Sequence, residues 1–300
     1  KKMLLKLLTI LKKETEIMEK LIKYSISNLQ LRILSTLFLI LPLIFITWYN
    51  YIGSIIILFF VSCLSTRELI DKKLTITYII TCLTSGFIAI SPFIIYEIFN
   101  TNIYFKNFIF YLISLIIILS ISLPIIFNKQ NIISNKFYKL IFPILLPSIL
   151  MIYGSIILIE NKNVFLLLII ISTLNDSSAY ATGKAFGRHS LSKNISPGKT
   201  VEGSLGGVIV TSFLSLAIIK WNISPFYLVD ANIFYIIFSI ILLSIFGQIG
   251  DLFFSKIKRI KKIKDFGNIF PGHGGVLDRI DSSLFIFILG YFVLLKWINL

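Results

Sequence analysis

The sequence predicts an all-α, polytopic membrane protein, and three observations support this fold class. Hydrophobic residues make up 56% of the 300 residues, and the mean hydropathy is +0.90. Only 14% of the residues are charged, compared with about 25% in soluble globular proteins. Long apolar stretches also recur along the whole chain. A water-facing surface cannot be built from this composition, which excludes a soluble domain.

About nine segments are long and apolar enough to cross a membrane, because a transmembrane helix needs about 20 such residues. Several of these segments contain proline, which membrane helices tolerate when neighbouring groups satisfy the freed carbonyls. The predicted spans lie near 33–49, 51–65, 75–97, 107–127, 140–159, 163–182, 201–219, 231–250 and 282–298.

The positive charges set the predicted orientation. With the N-terminus in the cytoplasm, 25 of the 29 Lys and Arg residues fall in cytoplasmic segments, as the positive-inside rule requires. The net charge of +15 then indicates an anionic membrane surface or an anionic substrate rather than nucleic acid. We expect a multi-pass protein of the bacterial inner membrane, with an organellar membrane as the alternative.

Two regions are distinguished along the chain. Residues 1–28 combine leucines at helical spacing with interleaved lysines, which favours an amphipathic helix on an anionic leaflet; a poorly ordered basic tail is the alternative. Residues 29–300 are predicted to form one transmembrane domain. Only two histidines are present, which excludes a multi-histidine metal centre.

Polar residues suited to catalysis lie in three blocks of the second half, all on the predicted cytoplasmic side. The first block contains Asp176, which falls deep within the span 163–182. An ionised carboxylate at that depth is costly unless it is paired or hydrated, and such residues are usually functional. A hydrogen bond between helices is the structural alternative.

The second block, 196–204, leads into the span 201–219 and contains Lys199, Thr200 and Glu202. Free N–H groups at a helix start, together with Lys199, suit phosphate binding. The alternative is a local Ser/Thr cap with Glu202 in the first turn of the helix.

The third block, 250–282, is the richest. Asp251, Ser255 and Arg259 recur at intervals of four and therefore share one helix face. Asp278 and Asp281 are three residues apart, at the start of the last span. Carboxylates among so many cations suit a divalent ion with a polyphosphate, and glycines allow close approach of a phosphate. The alternative is a basic loop in which the acids only balance charge.

This third block resembles the signature of the CDP-diacylglycerol synthase (phosphatidate cytidylyltransferase) family. The family pattern is met at every fixed position between 255 and 281, and the stretches 176–189 and 196–203 resemble its weaker upstream elements. The matching positions of the main signature include Ser255, Lys258, Arg259, Lys264, Asp265, Pro271, His273, Gly274, Gly275, Asp278, Arg279 and Asp281.

The resemblance implies transfer of a cytidylyl group from CTP to phosphatidate, with Mg²⁺ as cofactor and room for a second cation. It implies Asp251 and Asp278 as metal ligands, with Asp281 beside them and Asp176 lining the polar cavity. A homodimer is compatible with this assignment. The residues expected to contact substrate are Lys199, Thr200, Glu202, Ser255, Arg259, Lys264, Asp265, His273, Gly274, Gly275 and Arg279.

Two other classes of function remain open at this point. A CTP-dependent polyprenol or phytol kinase would use similar loops but release CDP instead of pyrophosphate. A transporter is the other alternative, although transporters commonly show broken helices in two matching halves, whereas the polar blocks here lie in one half.

Overall fold

The computed structural model describes residues 51–70, 76–99, 136–220, 233–267 and 274–295, together with Ile46, Ile125 and Ile269. The predicted spans 33–49 and 107–127 lie outside this part of the chain apart from one residue each. The amphipathic segment 1–28 and His273 lie wholly outside it.

The described part is mostly helical and contains one short hairpin. Before the hairpin are α1 (Tyr51–Leu69), α2 (Ile76–Ala89), α3 (Ser91–Phe99), α4 (Lys136–Glu160) and α5 (Lys162–Phe186). The hairpin is β1 (Ser190–Ser192) and β2 (Ser196–Thr200), and it is followed by α6 (Val201–Lys220), α7 (Ile233–Ile260), α8 (Leu277–Gly290) and a π-helical turn, Tyr291–Leu295.

Five of these helices are long and apolar enough to cross a membrane: α1, α4, α5, α6 and α7. Each coincides with a predicted span, and α7 continues about ten residues beyond the predicted end at 250. This agrees with the predicted helical membrane protein.

Helix α4 lies at the centre of the described bundle. It contacts α1, α2 and α3 as well as α5, α8 and the π-helical turn, and its side chains from Ile149 to Ile157 are almost all buried. Pro143 and Pro147 lie inside it without ending it, as expected for proline in a membrane helix.

The predicted span 75–97 is two helices, which corrects the prediction of a single one. The chain turns at Ile90, between α2 and α3. Pro92 is the second residue of α3. Proline lacks a backbone N–H and disfavours helical geometry in the residue before it, whereas it is well tolerated in a first helical turn. The break falls at Ile90, two residues before the proline, so Pro92 lies in the first turn of α3.

The hairpin is a second departure from the all-α prediction. Strands β1 and β2 are antiparallel, with Ser190 opposite Thr200 and Ser192 opposite Ser196. The hairpin joins α5 to α6, and β2 leads directly into α6. Lys199 is the penultimate residue of β2, so the hairpin determines the direction from which this residue approaches the bundle.

Helices α5 and α6 approach each other unusually closely through small residues. A Cβ added to Gly207 would lie 2.8 Å from Ala179 Cβ, and one added to Gly203 would lie 2.8 Å from the Ala179 carbonyl oxygen. The hydroxyl groups of Ser178 and Thr182 donate hydrogen bonds to backbone carbonyls of α6. Such contacts are typical of helix pairs in membranes.

Helix α8 packs against α4, α5 and α7. Its apolar side chains are buried, and Phe287 stacks on Phe165 of α5 with ring centroids 5.2 Å apart. Polar side chains occupy its first half, where Asp281, Ser282 and Ser283 are also buried. The packing of α8 thus carries carboxylates into the interior of the bundle.

Candidate functional site

Three carboxylates from α7 and α8 surround one buried lysine. Lys258 Nζ lies 2.9 Å from Asp278 Oδ1 and 3.8 Å from Asp281 Oδ2. Asp251 also lies within electrostatic reach of this ammonium group. Asp278 and Asp281 both face the same ammonium group. They therefore share one face of α8, as their spacing predicts. The side-by-side packing of α7 and α8 brings these acids to one place.

Asp176 joins this cluster from α5. Its Oδ2 accepts a hydrogen bond of 2.7 Å from the hydroxyl group of Ser282 on α8, so the predicted interhelical hydrogen bond is present. Asp176 also lies within electrostatic reach of Asp251 and Lys199. It remains solvent-accessible, whereas Asp281 is only 5% exposed. Asp176 is therefore the most accessible of the four aspartates in this cluster.

Lys199 reaches Asp251 from the hairpin. The two side chains form an ion pair, and each is about one quarter exposed. Lys199 also lies within electrostatic reach of Asp176 and Asp281. The second and third sequence blocks therefore meet at this point, where Lys199 pairs with Asp251 and Lys258 pairs with Asp278.

Thr200 and Glu202 organise the start of α6. Thr200 Oγ1 accepts a hydrogen bond from Gly203 N at 3.1 Å, which caps the helix. The Glu202 carboxylate accepts hydrogen bonds from the backbone N–H groups of Arg188 and His189 and contacts His189 Nδ1 at 2.5 Å. The predicted local cap is present, and both side chains hold the hairpin against α6.

Asp278 fastens the loop that precedes α8. Its Oδ2 accepts hydrogen bonds from Phe266 N at 2.8 Å and Gly275 N at 2.9 Å. Gly274 has φ of 80°, and a Cβ there would lie 2.7 Å from Asp278 Oδ2. Glycine is therefore needed at 274 for both conformation and space.

The other predicted substrate residues differ in their surroundings. Ser255 is 7% exposed. Arg259 donates from Nε to the carbonyl oxygen of Ile195 at 2.9 Å, which ties α7 to the hairpin. Three further side chains are exposed near the same end of α7 and α8: Lys264, Asp265 and Arg279.

Two polar side chains that contribute to the site were not predicted from the sequence. Gln248, one turn before Asp251, donates from Nε2 to Asn175 Oδ1 at 3.1 Å and to the carbonyl oxygen of Ser204 at 3.0 Å. This network joins α5, α6 and α7 beneath the acids. The feature of the sequence that could have indicated Gln248 is an amide side chain within an apolar helix.

The second missed residue is Glu68, at the end of α1. Its carboxylate accepts hydrogen bonds from Val276 N and Leu277 N, both at 2.8 Å. Nothing in the local sequence around Glu68 indicates this contact, since the partners are more than 200 positions away. The N-terminal half therefore contributes to the site.

The chemistry of the donor set suits Mg²⁺, which is usually bound through one or two carboxylates with phosphate and water completing the shell. Within the described ranges, no three His, Cys, Asp or Glu side chains converge closely enough in this conformation to hold a metal ion by themselves. The four aspartates and two lysines of the cluster nevertheless form one electrostatic unit.

Comparison with known proteins identifies the family to which the chain is similar. The sequence model described as "Cytidylyltransferase family" matches residues 30–297. A phosphatidate cytidylyltransferase of Bacillus subtilis is 45% identical over 119 residues, which cover 40% of this chain and 42% of the relative. One of Staphylococcus aureus is 41% identical over 129 residues, which cover 42% of this chain and 47% of the relative.

Apolar helices enclosing carboxylates and lysines define a helical membrane protein with a charged, partly buried site. The family match spans most of the sequence. The chain belongs to the cytidylyltransferase family. The matched stretch covers less than half the length of the curated relatives named above.

Proposed function

We propose that this protein is a phosphatidate cytidylyltransferase, which converts CTP and phosphatidate into CDP-diacylglycerol and pyrophosphate in phospholipid biosynthesis. The observation that carries the proposal is the convergence of Asp251, Asp278 and Asp281 around Lys258, with Lys199 paired to Asp251. The family match and the names of the relatives support it.

The reaction needs positioning and charge neutralisation more than proton transfer. A phosphatidate phosphate oxygen is already anionic, so it can attack the α-phosphorus of CTP without a general base. The bond from that phosphorus to the bridging oxygen then breaks, and pyrophosphate leaves with its electron pair. The groups that lower the barrier are those that orient both phosphates and stabilise the departing charge.

Asp251 and Asp278 would hold Mg²⁺, with Asp281 beside them, and a second cation is compatible with the excess of carboxylates. When bound, Mg²⁺ neutralises the phosphates of the nucleotide. In the structure each proposed ligand is paired with a lysine, Asp251 with Lys199 and Asp278 with Lys258.

The lysines and exposed cations would bind phosphate oxygens. Lys199 lies at the end of β2, next to the N-terminus of α6, where backbone N–H groups also favour an anion. Lys264 and Arg279 are exposed, and Arg279 lies within electrostatic reach of Asp176. Asp176 would line the polar path between the lipid and the cluster, because it is the accessible acid on α5.

We further propose that the protein has about nine spans and that the charged site faces the cytoplasm of a bacterial inner membrane. The distribution of Lys and Arg supports this orientation. It would place the site on the side from which CTP is supplied and leave the apolar faces of the helices for lipid.

The direct test is an assay of the purified full-length chain in detergent with phosphatidate, Mg²⁺ and CTP labelled at the α-phosphate. The expected products are labelled CDP-diacylglycerol and unlabelled pyrophosphate. A parallel reaction with diacylglycerol in place of phosphatidate should give no labelled lipid. Release of CDP with phosphorylation of a lipid alcohol would contradict the proposal and indicate a lipid kinase.

A further inference from the structure

The start of α8 is capped by a residue from the opposite end of the chain. Val276 precedes the helix and makes no hydrogen bond through its own side chain. Glu68 Oε1 accepts from Val276 N and Glu68 Oε2 accepts from Leu277 N, each at 2.8 Å. One carboxylate thus satisfies two N–H groups that the helix itself leaves without partners.

The loop before α8 is shaped around this carboxylate. A Cβ added to Gly275 would lie 2.3 Å from Glu68 Oε1, and one added to Gly267 would lie 2.6 Å from the same oxygen. Any larger residue at 275 would push the carboxylate away. The two glycines therefore make the space in which Glu68 is held.

A second contact joins the end of α1 to the beginning of the same loop. Lys261 Nζ donates a hydrogen bond to the carbonyl oxygen of Leu69. The end of α1 consequently contacts the loop near Lys261 and again at Val276, on both sides of the segment between α7 and α8.

The capped turn also carries the acids of the site. Asp278 follows Leu277 directly and fastens the same turn through Gly275 N and Phe266 N. Asp281 lies one helical turn further along α8 and faces the same lysine as Asp278. Because Glu68 fixes where α8 begins, it also fixes how far these two acids lie from Asp251 on α7.

We propose that Glu68 is a positioning residue for the acidic cluster: it acts through the N-terminus of α8 to hold Asp278 and Asp281 in register with Asp251. The negative charge suits this position, since a carboxylate at a helix N-terminus is stabilised by the backbone dipoles. The catalytic part of this inference rests on the proposed function, whereas the cap itself does not.

The cap is tested by hydrogen–deuterium exchange of the protein in detergent, without nucleotide or metal. In Glu68→Gln the amide can no longer accept from both N–H groups, so we expect peptides containing 275–278 to exchange about tenfold faster or more. Peptides from α4 should be unchanged. The matched control is Glu97→Gln, which makes the same chemical change at an exposed position on α3 and should alter neither region.

The positioning role is tested by kinetics per folded molecule. We expect Glu68→Gln to lower kcat about tenfold and to raise the Mg²⁺ concentration for half-maximal rate severalfold, with the KM for phosphatidate unchanged. Glu68→Asp keeps the charge but is one methylene shorter, so its values should be intermediate. A purely structural residue would lower the thermal midpoint and leave the Mg²⁺ dependence as it is.

Gly275→Ala gives an independent variant in which Glu68 itself is intact. The added methyl group displaces the carboxylate, so the same faster exchange and the same higher Mg²⁺ concentration for half-maximal rate are expected. Normal exchange at 275–278 in both variants, with an active wild type, would overturn the inference. Absence of cytidylyl transfer in the wild type would instead contradict the proposed function. The hydrogen–deuterium exchange at 275–278 would then still test whether Glu68 caps α8.

Discussion

The two aspartates proposed as metal ligands are held differently, and this shapes what their substitution should do. Asp251 pairs with Lys199 from the hairpin, whereas Asp278 pairs with Lys258 and also accepts two backbone N–H groups. Loss of charge at 251 therefore removes one ion pair. Loss of charge at 278 also loosens the loop before α8.

We expect Asp251→Asn to lower kcat by roughly 10²–10³-fold, because it weakens the binding of the Mg²⁺ that would stabilise the departing pyrophosphate. The thermal midpoint should stay close to that of the wild type. Asp278→Asn should lose activity to a similar degree and melt earlier. The double variant should be little slower than either single variant, since residues that act as a unit are not additive. A well-folded single variant with nearly full activity would contradict the metal assignment.

Substitution of Lys258 tests Mg²⁺ binding at this cluster without an activity assay. Its side chain is 11% exposed and its ammonium group pairs with Asp278 and Asp281, and breaking a buried pair costs about 3–5 kcal/mol. We expect Lys258→Met to melt well below the wild type. Added Mg²⁺ should raise its melting temperature more than that of the wild type, because binding to the folded state stabilises it.

The control for this prediction is Lys193→Met, which makes the same change at an exposed position in the hairpin turn. It should melt like the wild type, with the same response to Mg²⁺. An equal response of Lys258→Met and the wild type to Mg²⁺ would mean that the ion does not bind at this cluster.

At the scale of elements, apolar length was enough to predict α4, α5 and α6 to within a few residues. It could not predict the turn at Ile90, because the apolar run continues through it and only Pro92 signals a break. Nor did it predict the hairpin, whose residues are small and polar. The hairpin is stabilised by contacts with α6 and α7, such as Glu202 with Arg188 N, which are not encoded in the strand sequences themselves.

The pair α5–α6 depends on glycine, and we expect Gly207→Ala to destabilise the protein by about 1–3 kcal/mol. The added methyl group would lie 2.8 Å from Ala179 Cβ, so the two helices must separate. The control is Gly198→Ala, where a Cβ would meet nothing within 4 Å. The thermal midpoints of the two variants in the same detergent compare them directly, and equal values would show that the helices separate without strain.

At the scale of the whole molecule, α5 is long and apolar enough to link the two faces of a membrane. Its 25 residues extend about 37 Å at 1.5 Å per residue, so the proposed topology would place Lys162 and the hairpin on opposite sides. We expect cysteines at Lys162 and Lys193, introduced after Cys63 and Cys82 are replaced by serine, to react with an impermeant maleimide from opposite sides. The cysteine at 193 should react from the cytoplasm. Labelling of both from one side would exclude the proposed orientation.

The sequence predicted the site through residues that share a helix face and through the resemblance to the family signature. Asp278 and Asp281 are on one helix face by spacing alone, and their meeting with Asp251 followed from packing α7 beside α8. Glu68 could not be found in this way. A single carboxylate at the end of an apolar helix is ordinary in a membrane protein, and only the fold shows which backbone groups it meets.

The cap supplied by Glu68 has a consequence for how far the signature region can be treated as a module. Residues 136–300 contain every position of the family signature, yet the group that anchors the start of α8 belongs to α1. A fragment limited to that region would contain the side chains of the acidic cluster but would lack Glu68, which holds the start of α8 in place. Co-production with residues 1–135 should restore what the fragment lacks, in the manner of a split protein, so the signature region of this chain is better regarded as one part of a larger unit than as a module that works alone.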